Sequence, residues 1–360
     1  MPENSPLNLL NDRMLSLAFR YRETHLWKTL NDTHIFALEL SDGRLGRICI
    51  MGNAGMSICV GLYIGDEGFR DLLYQMTPTN NTLDNLSMSF SLHYLGCDYS
   101  CGSDIPAGEA RIIRQYAKEH GLRIREKDGY PDFTKHDPET PDYKITTRED
   151  ADAICEALEA ALEVARVNEE EDLYGLAIKG FFGKRDTCGG LVPRWIPKLK
   201  KLEDGTFKWS KHENKQPSPL VYPEIPLDKN SDRILFDALR DLPREKTLQM
   251  RFVRTPITHD DPDTGKEIFP LILFCSIGGN ALPPVICSVP GEKELELFCN
   301  HLVNSQSMPQ TIEVEDDLTE AFVRDFCKKL NVKLVRKKEL TDLLGLVSYL
   351  LQDIVPGFLQ

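Results

Sequence analysis

Apolar residues recur at helical spacing near the start of the chain, at Leu10, Met14, Leu17, Ala18 and Tyr21, and predict a helix over residues 8–22. The period then shortens to two. Residues 34–40, 47–51 and 57–64 read as strands, the last alternating Ile58, Val60, Leu62 and Ile64. Ser41-Asp42-Gly43 supplies turn residues for the first connection, so the three strands predict an antiparallel meander. A helix over 66–74 follows, with Phe69, Leu72 and Leu73 on one face. Met88, Phe90, Leu92 and Tyr94 alternate and predict a fourth strand. Residues 106–120 read as a helix ended by Gly121, and Leu122 with Ile124 as a brief strand. The Pro-, Asp- and Thr-rich stretch 127–145 is expected to be loop. Thr147 and Asp150 form a capping-box pattern for a helix over 148–167, whose buried stripe is Ile154, Leu158, Ala161 and Ala165.

Glu169-Glu170-Glu171-Asp172 marks a solvated boundary, and regularity falls from there to about residue 245. Within that stretch 191–202 and 206–210 read as a hairpin, 216–230 is Pro-rich and 231–241 is a short helix. Beyond it strands are expected at 247–255, 268–277, 284–289, 311–315 and 332–335, with helices at 292–304, 318–330 and 339–351. Both halves thus read β-β-β-α-β-α-β-α. That order is found in ribonuclease-H-like folds, and it predicts an α/β (α+β) protein of two mixed-sheet domains, 1–172 and 246–360, joined by an irregular hairpin segment, 173–245. A duplicated domain and two unrelated domains of shared topology both fit the pattern.

Composition is that of an ordinary globular chain: 41% hydrophobic and 28% charged over 360 residues, enough for two domains. The first residues lack the basic and apolar regions of a secretory signal, and no apolar run approaches the roughly 20 residues of a membrane span. A soluble, cytoplasmic protein is expected. Of the ten cysteines, Cys49, Cys59, Cys275 and Cys287 fall in strand-like runs and Cys155, Cys299 and Cys327 in helical ones, as small buried hydrophobes with reduced thiols. The net charge of −13 opposes non-specific attraction to nucleic acid or anionic membranes. Residues 179–215 depart from it, with ten basic residues against four acidic ones.

Two stretches carry a family resemblance. The first runs from Trp27 through His34-Ile35-Phe36-Ala37-Leu38 and Ile48-Cys49-Ile50-Met51-Gly52 to Gly61-Leu62-Tyr63-Ile64-Gly65-Asp66-Glu67-Gly68. The second runs from Phe269-Pro270-Leu271-Ile272-Leu273 through Pro309-Gln310-Thr311-Ile312-Glu313-Val314 to Leu330-Asn331-Val332-Lys333-Leu334. Together they resemble a bacterial family in which two domains of unknown function travel together, sometimes beside plasmid ORF-3-like or SEC-C zinc-binding modules. The resemblance implies an intracellular bacterial protein and no particular activity. No cysteine-bearing SEC-C pattern occurs in the final residues, Ile354 to Gln360.

Several residue sets have the chemistry for a site. A two-metal nuclease of ribonuclease-H type needs carboxylates from the first strand, the fourth strand and the last helix. In the C-terminal half Glu313, Glu315, Asp316, Asp317, Glu339 and Asp342 are available, but the first strand carries no acid. In the N-terminal half Glu39, Asp98 and Glu149 or Asp152 fill the three places, in a chain where 56 of 360 residues are acidic and chance matches are common. His93, Cys97 and Cys101 are zinc-capable and would need a fourth ligand from His120, His136 or Cys188. Ordinary surface acids and buried cysteines are the competing explanations. Gly52-Asn53-Ala54-Gly55 and Cys188-Gly189-Gly190 read as turns, not phosphate cradles, and no Gly-x-Ser-x-Gly elbow occurs. In the basic segment Lys198, Lys200, Lys201, Lys208 and Lys211 interleave with Phe181, Phe182, Trp195, Phe207 and Trp209, a composition that can hold phosphates and stack on bases. The competing structure is a solvated hairpin with its tryptophans packed inward.

A non-enzymatic binding or regulatory protein is the expectation that these patterns favour, with a protein partner or a second copy of the chain as companions. A metal-dependent hydrolase using Glu39 and Asp98 is the first alternative. A nucleic-acid-binding accessory protein of a mobile element is the second. No cofactor motif is present, and zinc or magnesium stays open at the two candidate sets.

Overall fold

Asn11 opens the first helix by accepting the Met14 N–H on its side chain at 3.2 Å, and His25 closes it in the left-handed region at φ 52°. The computed structural model describes residues 9–55, 57–77, 82–138, 141, 143–171, 186–227, 233–261 and 264–351. Its contacts divide the chain into two units, Met1–Pro78 with Leu92–Pro217, and Thr79–Ser91 with Ser218–Gln360.

In unit 1, helix α1 (Asp12–Thr24) precedes strands β1 (Phe36–Glu39), β2 (Leu45–Met51) and β3 (Cys59–Ile64), then helix α2 (Gly65–Gln75). Helix α3 (Thr82–Ser89) comes next in the chain but belongs to unit 2. Unit 1 resumes with β4 (Tyr94–Ser100), α4 (Ala107–Glu119), β5 (Tyr130–His136) and α5 (Arg148–Glu171). It ends with the ribbon β6 (Thr187–Gly189) and β7 (Val192–Pro193) and the hairpin β8 (Trp195–Lys201) and β9 (Phe207–Glu213). One seven-stranded sheet results, in the order β5-β4-β3-β2-β1-β8-β9, antiparallel at every joint except β1 with β8.

Period-two alternation gives this sheet two apolar faces. Ile48, Ile50, Val60, Leu62, Leu95 and Cys97 turn to α1, α4 and α5, and each fully buried aliphatic among them stabilises the fold by about 1.5–3 kcal/mol. Helix α5 is rich in buried alanines, Ala153, Ala157, Ala160 and Ala161, so α1 packs closely along it. On the other face Ile35, Ala37, Cys49 and Tyr63 lie under Phe69 and Leu72 of α2 and beside Val192 and Ile196. Arg47 is buried on that side, 3.6 Å from the Phe69 ring centroid, and donates to Asn214 Oδ1 at 3.1 Å.

Three expectations for this unit are corrected. The alternating run from Met88 to Tyr94 does not form a strand: Leu83, Ser87 and Phe90 also share one helical face, and the chain forms α3 before β4 starts at Tyr94. Stretch 127–145 contains β5, because β4 offers a full pairing edge from Tyr94↔His136 to Ser100↔Tyr130 that outweighs the poor strand propensity of Pro131 and Asp132. Leu122 and Ile124 form no strand. The basic hairpin does form, and its first strand pairs with β1 as part of the unit 1 sheet.

Unit 2 adds α6 (Arg233–Asp241), β10 (Arg244–Arg254), the short pair β11 (His259–Asp260) and β12 (Glu267–Ile268), and β13 (Leu271–Ile277). It continues with β14 (Asn280–Ala281), β15 (Val285–Cys287), α7 (Glu292–Asn304), β16 (Met308–Val314), α8 (Asp317–Leu330), β17 (Lys333–Arg336) and α9 (Thr341–Leu351). The sheet runs β14-β13-β10-β16-β17, with β15 also on β13. Gly278 and Gly279, both at positive φ, make the tight turn between β13 and β14. Strands β16 and β17, reached through helices, return parallel to β10, as crossover connections allow. In unit 1 the strands reached through helices, β4 and β5, instead pair antiparallel, so the two sheets differ in order. Helices α6, α7 and α8 cover the face bearing Leu248, Met250, Phe252 and Ile312, and α9 with α3 covers the face bearing Val253, Ile272 and Phe274.

No helix among the described residues is long and apolar enough to cross a membrane. Nine of the ten cysteines are buried, including all seven read as small hydrophobes, and Cys101 is half-buried.

Candidate functional site

The carboxylates that the nuclease alternative requires do not meet. Glu39 ends β1, where Lys198 Nζ lies 2.5 Å from its carboxylate and Lys200 also binds it. Hydrogen bonds from the two ammonium groups hold its pKa down to about 2. Asp98 lies on β4, three strands from β1 and therefore roughly 14 Å across the sheet. Burial raises its pKa, against a hydrogen bond donated by Thr134 Oγ1 at 3.0 Å. Glu149 is exposed beside Arg44, and Asp152 pairs with Arg13 at 3.1 Å. A cleft of about 630 Å³ does bring Glu39, Asp152, Glu156 and Glu159 together. Four of its acids already have partners: besides Glu39 and Asp152, Arg13 and Lys201 bind Glu159, and the Ser41 N–H and hydroxyl donate to Glu156.

His93 immediately precedes β4, Cys97 lies within it and Cys101 immediately follows it. Each step of four residues in a strand spans about 13 Å, so one zinc ion cannot reach all three. Cys97 lies in the main core and Cys101 sits 3.1 Å from Ser103 Oγ. The proposed fourth ligands complete no set of three: His120 stacks on Tyr116, Cys188 is in the second core, and His136, stacked on Tyr94, shares a cavity with His93 alone of the three. Among the described residues no group of three or more His, Cys, Asp or Glu side chains could hold a metal ion.

The five lysines of the basic hairpin divide between the two faces of the sheet. Lys198 and Lys200 share the face of Ile196 and are bound to Glu39, with Lys208 opposite Lys200. On the other face Lys201 binds Glu159, and Lys211 lies 4.4 Å over the half-buried Trp195 ring. Trp209 packs against the main core and its Nε1–H donates to Glu163 at 3.3 Å. Lys179, Lys184, Arg185, Phe181 and Phe182 lie outside the described residues.

A different set converges. At one end of β4 and β5 a cavity of about 240 Å³ is lined by Arg44, Glu67, His93, Tyr94, Lys135, His136, Asp137 and Asp150. Gly68 permits it: a Cβ there would come within 2.9 Å of the Tyr63 backbone, so only glycine lets α2 lie this close to β3. Asp71, on α2, orients His93 by accepting its backbone N–H at 2.7 Å, with the ring Nδ1 at 2.9 Å. The ring's Nε2 is 3.9 Å from Glu67 Oε1. Burial alone would lower the His93 pKa, but Asp71 and the acids around it raise it. Across the cavity Tyr63, Tyr94, His136 and Tyr143 form a pile of rings, with Tyr94 and His136 4.1 Å apart and nearly parallel. Burial in that pile lowers the His136 pKa to about 4. Lys135 pairs with Asp150 at 3.1 Å along the rim. The sequence singled out His93 for zinc and His136 only as a remote fourth ligand. The other members lie on four different elements, and no local spacing links them.

Residues 12–180 match the model of the family Domain of unknown function (DUF7309), and residues 236–351 that of Domain of unknown function (DUF6930). No curated protein and no solved structure matches the chain.

Proposed function

We propose that this chain, which carries DUF7309 followed by DUF6930, is a binding or regulatory protein whose ligand site is the His93–His136 cavity of unit 1. The observation behind it is the convergence of groups from α2, β4, β5 and α5, two histidines among them, on one space. Cations (Arg44, Lys135) and anions (Glu67, Asp137, Asp150) both line the cavity beside the Tyr94 ring. Such a lining complements a small zwitterion of amino-acid size, and the volume lies just below that of typical small-molecule pockets. Thermal-shift measurements with the twenty amino acids at millimolar concentration test this. At least one should raise Tm in the native protein and not in His93→Gln. A panel with no rise, or equal rises in both proteins, would remove the cavity from consideration as the ligand site.

One observation favours a second function, acid–base hydrolysis. His93 and His136 face the same cavity with pKa values moved in opposite directions, which is how paired acids and bases are prepared. Water would attack the substrate's electrophilic carbon as neutral His136 takes its proton, and His93 would protonate the leaving group as its bond to that carbon breaks.

A further inference from the structure

Strands β10 and β16 are adjacent and parallel, and from them the chain departs in opposite directions, to β13 on one side and to β17 on the other. Open sheets of this kind take their ligands outside the carboxyl ends of the strands at such a switch point. In unit 2 that place is filled by the chain itself. Leu83 of α3 is 2% exposed and packs with Val253, Ile272, Phe274, Leu340, Leu343 and Val347. Phe90, just beyond the helix, lies 5.2 Å from the Phe269 ring, and the Arg254 backbone N–H donates to Ser87 Oγ at 3.3 Å. Beside this apolar seat Arg251, whose side chain is only 7% exposed, binds Asp84 of α3 and the buried Glu315 that follows β16. Asp316 Oδ2 is 3.8 Å from its Nε. A guanidinium thus sits beside two of the carboxylates, Glu315 and Asp316, that the sequence pattern left as an incomplete set.

We propose that α3 is the resident occupant of the switch-point crevice of unit 2, seated by Leu83 and the Arg251–Asp84 ion pair, so that unit 2 completes its fold with a segment encoded between α2 and β4 of unit 1. Residues 236–351, the extent of the second family match, then lack one wall of their own core. Removing that wall leaves Val253 and Ile272 facing water and strips a carboxylate from a buried guanidinium, both expensive changes.

Hydrogen exchange on the full-length protein in rising urea tests the assignment. Amides of α3 should lose protection in step with those of β10 and β13, and apart from those of β2 and β3. Leu83→Ala should speed exchange in β10 and β13 at least tenfold while leaving β2 and β3 unchanged, and Asp84→Asn should do the same to a smaller degree. Exchange of α3 in step with unit 1 overturns the proposal in the native protein alone, whether or not the variants fold. An unchanged β10 and β13 in a folded Leu83→Ala protein overturns it equally.

Discussion

His136 stays neutral at physiological pH because its ring lies between Tyr94 and Tyr143, where the imidazolium would lose its water. Its folded-state pKa, about 4, is below the roughly 6.5 of an unfolded histidine. As pH falls the unfolded chain therefore takes up the proton first. The contribution of His136 is complete above about pH 6.5 and is lost between there and pH 4, at most about 3 kcal/mol. His93 has the opposite sign: its raised value contributes below pH 6.5 and is lost as pH rises through the folded-state pKa. Urea midpoints from pH 4.5 to 7.5 should rise with pH in the native protein and flatten in His136→Phe, which keeps the stacking and removes the titration. An identical slope in both proteins would show that His136 is not the group responsible.

At the scale of elements, the β8–β9 hairpin illustrates how much was legible and why. The turn, the alternation and the lysines were visible in the sequence, and β9, which ends the sheet, carries Lys208 and Lys211 as edge strands do. The pairing of β8 with β1 was not, because the two strands are more than 150 residues apart and only the assembled sheet gives β1 a free edge. For the same reason β5 was invisible, its propensity being poor and its partner β4 doing the selecting. The cavity was hidden more thoroughly, since Asp71, His93 and His136 come together only once α2, β4 and β5 are packed. The hairpin also yields a prediction. Glu39 holds both Lys198 and Lys200, so Glu39→Gln frees two ammonium groups on one face. The variant should bind a sulfonate cation exchanger more tightly and lose under about 1 kcal/mol of stability, as partly exposed ion pairs do. Single-stranded oligonucleotides should not be retained by the native protein at moderate salt, because its five lysines divide between two faces. Salt-sensitive retention by the native protein, weakened when Lys208 and Lys211 are replaced, would restore the nucleic-acid function.

At the scale of the whole molecule the sequence showed two α/β units of mixed sheets, because each builds a separate core from its own periodic segments. It did not show that the units are interleaved along the chain, since the end of α3 at Met88 also begins an alternating run to Tyr94 that reads as a strand. Interleaving has an asymmetric consequence. Among the described residues the two cores of unit 1 draw none from 79–91 or from beyond Pro217, whereas the α9-side core of unit 2 includes Leu83. Unit 1 should therefore survive alone. The contact between Asp71 and the His93 backbone places the start of β4 beside α2, about 6 Å along the helix axis from its last residue, so a short linker can replace the excursion. A chain of residues 1–217 with 78–91 replaced by a flexible Gly/Ser linker should fold, keep the depressed His136 titration near pH 4, and unfold cooperatively in urea. Residues 218–360 alone should be markedly less stable than the same unit in the full chain, and a peptide of residues 79–91 should raise their urea midpoint, with Leu83→Asp in the peptide abolishing the rise. A stable 218–360 fragment indifferent to that peptide would show that the crevice needs no occupant from the other half of the chain.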